Sequence, residues 1–309
     1  MFQDAVHVNA SDIHIEPDER CLRVRLRVDG VLQEQVIDGN RVAQALVTRL
    51  KLMCGIDIAE KRKPQDGRFS IKVEDKSLDV RLSTMPIYHG EAIVLRLLDQ
   101  SSSQKNFTEL GMPPDIVGRF TALVERNTGM VLVTGPTGSG KTTTLYSCLH
   151  RINTIETNIM TAEDPVEYNL MGINQVLVRS EIGLTFAAAL KAFLRQDPNI
   201  IMIGEIRDLE TGGIAIKAAL TGHLVLSTLH TNDAPSTITR LIDMGLEAFN
   251  VASAVNLVVA QRLVRRICKH CAEPATYPEV VLKSLSTDLE AIKHLQFMKG
   301  KGCDSCGGL

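Results

Sequence analysis

The sequence predicts an α/β protein in three parts. A small α+β domain occupies residues 1–99, a parallel-sheet domain occupies 110–266, and a cysteine-bearing module occupies 267–309, with 100–109 as a linker between the first two. Three observations predict this. Apolar and polar residues alternate through the first hundred positions, as half-buried antiparallel strands require. From about residue 110, short apolar runs alternate with helical stretches, the pattern of parallel strands joined by crossovers. Near the end, four of the seven cysteines form two C-x-x-C pairs.

Each element has its own signal. In CLRVRLRVDGVLQEQV, Leu22, Val24, Leu26 and Val28 point to one face while Arg23, Arg25 and Arg27 point to the other. Asp29-Gly30 then turns the chain, so this stretch is a hairpin. RVAQALVTRLKLMCG (41–55) has helical spacing and a glycine stop. GRFSIKV, SLDVRLSTMP and EAIVLRLLD read as further strands of one antiparallel sheet. SSSQKN (101–106) is a polar break within the linker. The parallel strands expected beyond it are MVLVT (130–134), NIMTA (158–162), NIIMI (199–203) and HLVLSTL (223–229). No internal repeat stands out.

Composition narrows the function classes. The 309 residues are 44% hydrophobic and 23% charged, ordinary for a globular protein of about two domains. A net charge of −2 lacks the basic footprint of a general nucleic-acid binder. With no Trp and 4% aromatic residues, platforms for stacking single-stranded bases are scarce. No run approaches the roughly 18–20 apolar residues that span a bilayer, and the N-terminus lacks the basic start and apolar core of a secretory signal. The expectation is a cytosolic protein, and a soluble partner of a membrane machine would read the same way.

The residues just after each parallel strand carry the chemistry. After the first comes GPTGSGKTTTLYSCL, where Gly135, Gly140, Lys141 and Thr142 match G-x-x-x-x-G-K-T between a strand and a helix. The expected phosphate cradle is Gly135, Pro136, Thr137, Gly138, Ser139, Gly140, Lys141, Thr142 and Thr143. Its glycines let backbone N–H groups approach phosphates at a helix N-terminus. Lys141 supplies a charge for the β- and γ-phosphates, and the Thr142 hydroxyl ligates Mg2+. EDPVEY (163–168) comes after the second strand and GEIRD (204–208) after the third, which places carboxylates at the edge where open α/β sheets bind ligands. An NTPase of this kind needs an acidic residue near the metal and a polar group to orient water. Glu205 suits the first role and Glu163 the second. Asp164, Glu167 and Asp208 are either additions to this set or caps and surface charges.

The fourth strand is bracketed by His223 and His230, seven positions apart. At roughly 3.3 Å per residue they stand on the order of 20 Å apart, and odd spacing turns them to opposite faces. They share neither a metal nor a proton. His230 belongs at the carboxyl edge beside Glu205, near the γ-phosphate. His223 belongs at the far edge, shaping a turn or a subunit contact. The plainer alternative for both is a satisfied structural histidine.

Among the cysteines, Cys21, Cys54 and Cys148 stand alone and read as buried thiols. Cys268 and Cys271 (CKHC) with Cys303 and Cys306 (CDSC) read as a tetrahedral Zn2+ site with a small module filling the gap between the pairs. The alternative, two redox pairs, lacks a thioredoxin-like βαβ context. His270, between two ligands, reads as a solvated residue.

GPTGSGKTTT, AEDPVEY, RQDPNIIMIGEIRD and TGHLVLSTLHTND, in this order, resemble the secretion-ATPase superfamily, and within it the assembly ATPases of type II secretion and type IV pili. ASDIHIEP (10–17), KRKPQDGRF (61–69) and the tetracysteine module extend the likeness over nearly the whole chain. Retraction ATPases share the core motifs without the cysteines, so the module favours extension or secretion. The resemblance implies a RecA-like P-loop NTPase domain preceded by a PAS-like α+β domain. It implies a cytosolic homo-hexamer that hydrolyses ATP and works on an inner-membrane platform protein. It implies that Arg68, Arg81 and Arg96 reach toward the phosphates, a task suited to a permanently charged, bidentate group. Each of the three is otherwise a surface or cross-strand partner. Arg262 and Arg265 are expected at structural positions or a subunit boundary. Members of this family carry a further domain ahead of ASDIHIEP and continue past the last cysteine, so the sequence is expected to be a piece of a longer chain with its zinc module cut short. A DNA-uptake pseudopilus motor would share every motif. A nucleotide-gated scaffold with little turnover is the alternative from another class, and Glu163 and Glu205 argue against it.

Overall fold

The computed structural model describes residues 1–38, 42–99, 105–285, 292, 295–303, 306 and 308. Positions 100–104 of the expected linker lie outside them. The chain divides into two compact units, Met1–Gln100 with Val264–Leu309, and Ser101–Leu263.

In the first unit the elements are α1 (Phe2–His7), β1 (Asp12–Pro17), β2 (Cys21–Val28), β3 (Val31–Asp38), α2 (Ala43–Cys54), β4 (Gln65–Val73), β5 (Lys76–Ile87) and β6 (Gly90–Asp99). The six strands form one antiparallel sheet in the order β3-β2-β1-β6-β5-β4. Asp29 and Gly30 both take positive φ, 48° and 81°, which suits the tight twist of the β2–β3 hairpin. Leu22, Val24, Leu26 and Val28 are buried with Ile13, Ile15, Val80, Leu82, Ile93 and Leu95 against α1 and α2. The alternation read from the sequence therefore separates a core face from an arginine-rich face. α2 stops at Gly55, whose φ of 67° fits the left-handed cap.

The second unit begins with α3 (Pro114–Val124), β7 (Gly129–Thr134), α4 (Lys141–Ile152), β8 (Ile159–Glu163), β9 (Asn174–Leu177), α5 (Phe186–Phe193) and β10 (Ile200–Ile203). It continues with α6 (Leu209–Leu220), β11 (Leu224–Leu229), α7 (Ala234–Asp243), α8 (Ala248–Ala254) and β12 (Val255–Ala260). Its six strands are all parallel, in the order β12-β7-β11-β10-β8-β9. Along β7, Met130 and Leu132 pack with α5, α6 and α8, while Val131 and Val133 pack with α3 and α4. Covered on both faces, β7, β10 and β11 are buried at every position, which explains why they read as continuous apolar runs. The edge strands β9 and β12 add two members to the four expected from the sequence.

The segment Val264–Leu309 carries β13 (Ala272–Pro274), α9 (Glu279–Leu285) and β14 (Met298–Gly300), with β13 and β14 paired antiparallel. Of the lone cysteines only Cys148 is buried; Cys21 and Cys54 are half-buried.

Candidate functional site

The polarity of the parallel sheet gathers the predicted residues of the second unit. β7, β11, β10 and β8 are neighbours in that order and end at the same edge. That edge carries in turn the glycine-rich loop, His230, Glu205 and Glu163.

The loop between β7 and α4 is shaped by its glycines. A Cβ on Gly135 would stand 2.4 Å from the Gln261 carbonyl oxygen and 2.6 Å from Ser139 Oγ, so a side chain is excluded there. Gly140, with φ of 86°, caps the start of α4. Pro136, Thr137, Gly138 and Thr142 are exposed, while Thr143 is half-buried. Lys141 Nζ donates to the carbonyls of Gly135 and Pro136, each at 3.0 Å. Partial burial lowers the Lys141 pKa, and the charge of Glu205 opposes that shift. The buried Ser139 hydroxyl has no hydrogen-bond partner among the described residues, an orphan donor within the glycine-rich loop. This donor set fits a polyphosphate.

Glu205 stands just after β10 with its side chain 14% exposed, in contact with the Arg207 guanidinium and 3.5 Å from His230 Nε2. The Thr228 hydroxyl donates to the Gly204 carbonyl at 2.6 Å, and the Ile206 amide donates to the Thr228 carbonyl at 3.1 Å. These bonds tie the end of β10 to the end of β11. Thr134, the last residue of β7, exchanges hydrogen bonds with Thr231, so the residue after His230 is pinned beside the phosphate loop. Glu205, His230 and Lys141 thus share one neighbourhood.

Glu163 sits differently. It is 3% exposed and meets the Tyr146 hydroxyl, Thr161 Oγ1 at 2.6 Å and Gln175 Nε2 at 3.0 Å. Asp164 next to it is exposed and electrostatically coupled to Arg207. Asp208 is a helix cap, accepting from the Thr211 amide at 2.8 Å at the start of α6.

His223 precedes β11 at the opposite edge, its Nδ1 3.0 Å from the Ala218 carbonyl oxygen, in a polar cavity with Arg126, Arg151 and Asp197. The two histidines therefore bracket the strand. Arg262 joins the Gln261 carbonyl and Asn232, a structural tie.

In the first unit, Arg68, Arg81 and Arg96 are direct register neighbours on β4, β5 and β6. They line one cavity with Asp66 and Ser83. Like charges placed side by side on adjacent strands disfavour the sheet, an arrangement that an anion would relieve. Asp12 on β1 continues the row and accepts from Arg96 Nε at 3.1 Å.

The four predicted metal ligands also converge. All four sulfurs lie within 4.8 Å of one another, with Cys268–Cys303 at 4.0 Å, Cys271–Cys306 at 3.9 Å and Cys303–Cys306 at 3.8 Å. Zinc–sulfur bonds of about 2.3 Å in a tetrahedron place sulfurs about 3.8 Å apart, whereas a disulfide needs about 2.05 Å. The donor set therefore fits zinc. The Cys303 backbone N–H donates to the Cys306 sulfur at 3.4 Å and lowers that thiol to about 7, while burial pushes the Cys271 thiol up to about 11. His270 is exposed, as expected.

Sequence reasoning missed Arg207, Tyr146, Gln175, Thr134 and Asp12. Arg207 stands within the quoted GEIRD, where its position two residues from Glu205 was the available signal. Tyr146, an aromatic with a polar tip on the helix after the glycine-rich loop, offered a weaker one.

The chain belongs to the type II/IV secretion system protein family, whose model matches residues 1–308. The resemblance read from the motifs is borne out. The chain is 52% identical over 308 residues to the type IV pilus assembly ATPase PilB of Myxococcus xanthus, a match covering 99% of this chain and 54% of that protein. It is 49% identical over 309 residues to the type II secretion system protein E of Klebsiella pneumoniae, covering 99% of this chain and 61% of that one. It thus spans little more than half the length of these relatives. Among solved structures, the ATPase DotB of Legionella pneumophila is similar with a TM-score of 0.69 and 26% identity, over 84% of this chain and 74% of that chain. The predicted α/β class, with its parallel ATPase sheet and tetracysteine module, also stands.

Proposed function

We propose that this chain is the motor portion of a cytoplasmic ATPase that hydrolyses ATP to ADP and phosphate to drive pilus or pseudopilus assembly or type II secretion. The observation that carries this reading is the single sheet edge on which the glycine-rich loop, Glu205 and His230 meet. The names of the relatives, a pilus assembly ATPase and a secretion system protein, support the choice of machine.

On this reading the loop from Gly135 to Thr143 holds the phosphates, with Lys141 against the β- and γ-phosphates. Thr142 and Glu205 hold Mg2+, which supplies charge neutralisation when bound. His230 faces the γ-phosphate and Glu163 orients the attacking water. Arg68, Arg81 and Arg96 offer positive charge to an anionic group on the first unit. Cys268, Cys271, Cys303 and Cys306 hold a structural Zn2+. The working form is a homo-hexamer on an inner-membrane platform protein, touching the membrane through that partner; among the described residues no helix is long and apolar enough to cross it.

Phosphate release at saturating Mg-ATP tests the motor reading. The wild-type chain should turn over, and Lys141→Ala should lose nearly all turnover together with most phosphate affinity. Wild-type release no faster than that of Lys141→Ala would favour a nucleotide-gated scaffold and end the motor reading.

A further inference from the structure

Tyr146 is fully buried on α4, the helix that the phosphate loop opens. Its ring packs in the core with Phe120, Leu145 and Leu149 and meets Tyr168 edge-on at 4.5 Å. A phenylalanine would fill that space equally well. Burying a hydroxyl costs free energy unless it is paired, so the phenol needs its own explanation. Its proton goes to Glu163 Oε2. Its oxygen accepts from the Glu167 amide at 3.3 Å, within the same acidic stretch. Burial, with the Glu163 charge beside it, pushes the Tyr146 pKa upward, so the hydroxyl keeps its proton and stays a donor. The other carboxylate oxygen is held by Thr161 and Gln175. Three donors from three elements thus fix Glu163, and only the one on α4 belongs to the phosphate-binding helix.

We propose that Tyr146 is a positioning residue for ATP hydrolysis: its phenol holds the Glu163 carboxylate in one orientation and couples it to the helix that carries Lys141. This rests on the hydrolytic reading above. Tyr146 touches no substrate and acts through Glu163.

The test is Tyr146→Phe in the full chain, which removes one oxygen and keeps the packing. Steady-state kcat and KM for Mg-ATP, and nucleotide affinity, are compared among wild type, Tyr146→Phe, Glu163→Gln and the double variant. Tyr146→Phe should lower kcat about tenfold, since misplacing a reacting group by an ångström costs up to about a hundredfold, with KM and affinity within about twofold. The double variant should be no slower than Glu163→Gln, because residues acting through one contact are not additive. Wild-type kcat in Tyr146→Phe, losses that multiply in the double variant, or an effect confined to KM would each overturn the proposal. Failure of the hydrolytic reading would appear in the wild type itself, as absent phosphate release, whereas failure of this proposal alone would appear only in the variants.

Discussion

Replacing His230 separates a catalytic histidine from a structural one. The imidazole is 53% exposed and its nearest charged partner, Glu205, is 3.5 Å away. A pair this open contributes about 0–1 kcal/mol to folding, so His230→Ala should melt close to wild type. A tenfold loss of rate corresponds to about 1.4 kcal/mol of transition-state stabilisation. A rate loss of that size without a matching loss of stability would mark a role in the transition state, made to the reacting phosphate or through Glu205. His230→Ala should therefore lose more than tenfold in phosphate release at saturating Mg-ATP, while affinity for a fluorescent nucleotide analogue changes only a few-fold. His223→Ala is the internal control, at the other end of the same strand. It should keep nucleotide affinity and act on oligomerisation or subunit coupling, read by light scattering and by the cooperativity of hydrolysis. Turnover within twofold of wild type, or a loss matched by a collapse in melting temperature, would return His230 to the structural class.

Glu205→Gln should bind ATP and hydrolyse it poorly, and Glu163→Gln should behave similarly, since both faults fall on the metal and the transition state; nucleotide affinity lost in proportion to rate would show that this division of roles is wrong. Purified protein should contain one zinc per chain, and Cys303→Ser should release it and unfold the local module while the phosphate loop still binds nucleotide. Metal analysis without zinc, together with four freely titratable thiols in native protein, would refute that site.

Legibility in the sequence tracked burial. The hairpin at Asp29-Gly30, the cap at Gly55 and the strands β7, β10 and β11 were readable because each needs a particular residue type or an uninterrupted apolar run. β9 and β12 were not, because edge strands are half exposed and their sequences, NQVL and VNLVVA, lack a clear period. The same division holds at the site. Residues constrained by local backbone geometry, such as Gly135 and Lys141, announce themselves through spacing. Residues joined only by the tertiary fold do not: Tyr146 and Gln175 reach Glu163 from a helix and an edge strand, and no local pattern links them. Asp12 and Arg96 are 84 positions apart and meet only because β1 and β6 are sheet neighbours.

The two acidic groups at the carboxyl edge have opposite settings, and on the proposed reading that difference bears on how the site distinguishes ATP from ADP. Glu163 is enclosed, and its donors Tyr146, Thr161 and Gln175 are neutral groups on rigid elements. Such a carboxylate is held in one orientation by the fold around it. Glu205 is partly open, and its partners Arg207 and His230 are themselves 65% and 53% exposed. Exposed ion pairs are held by about 1 kcal/mol or less, so these contacts can be exchanged at little cost when a γ-phosphate and its metal arrive. On the proposed reading, Glu163 is the fixed reference and the Glu205–Arg207–His230 cluster is the part that responds. Thr231, next to His230, is joined by its hydroxyl to Thr237 on α7 at 2.6 Å. A change of partner at His230 therefore has a short covalent and hydrogen-bonded route to a helix, which is what a subunit needs if hydrolysis is to become movement.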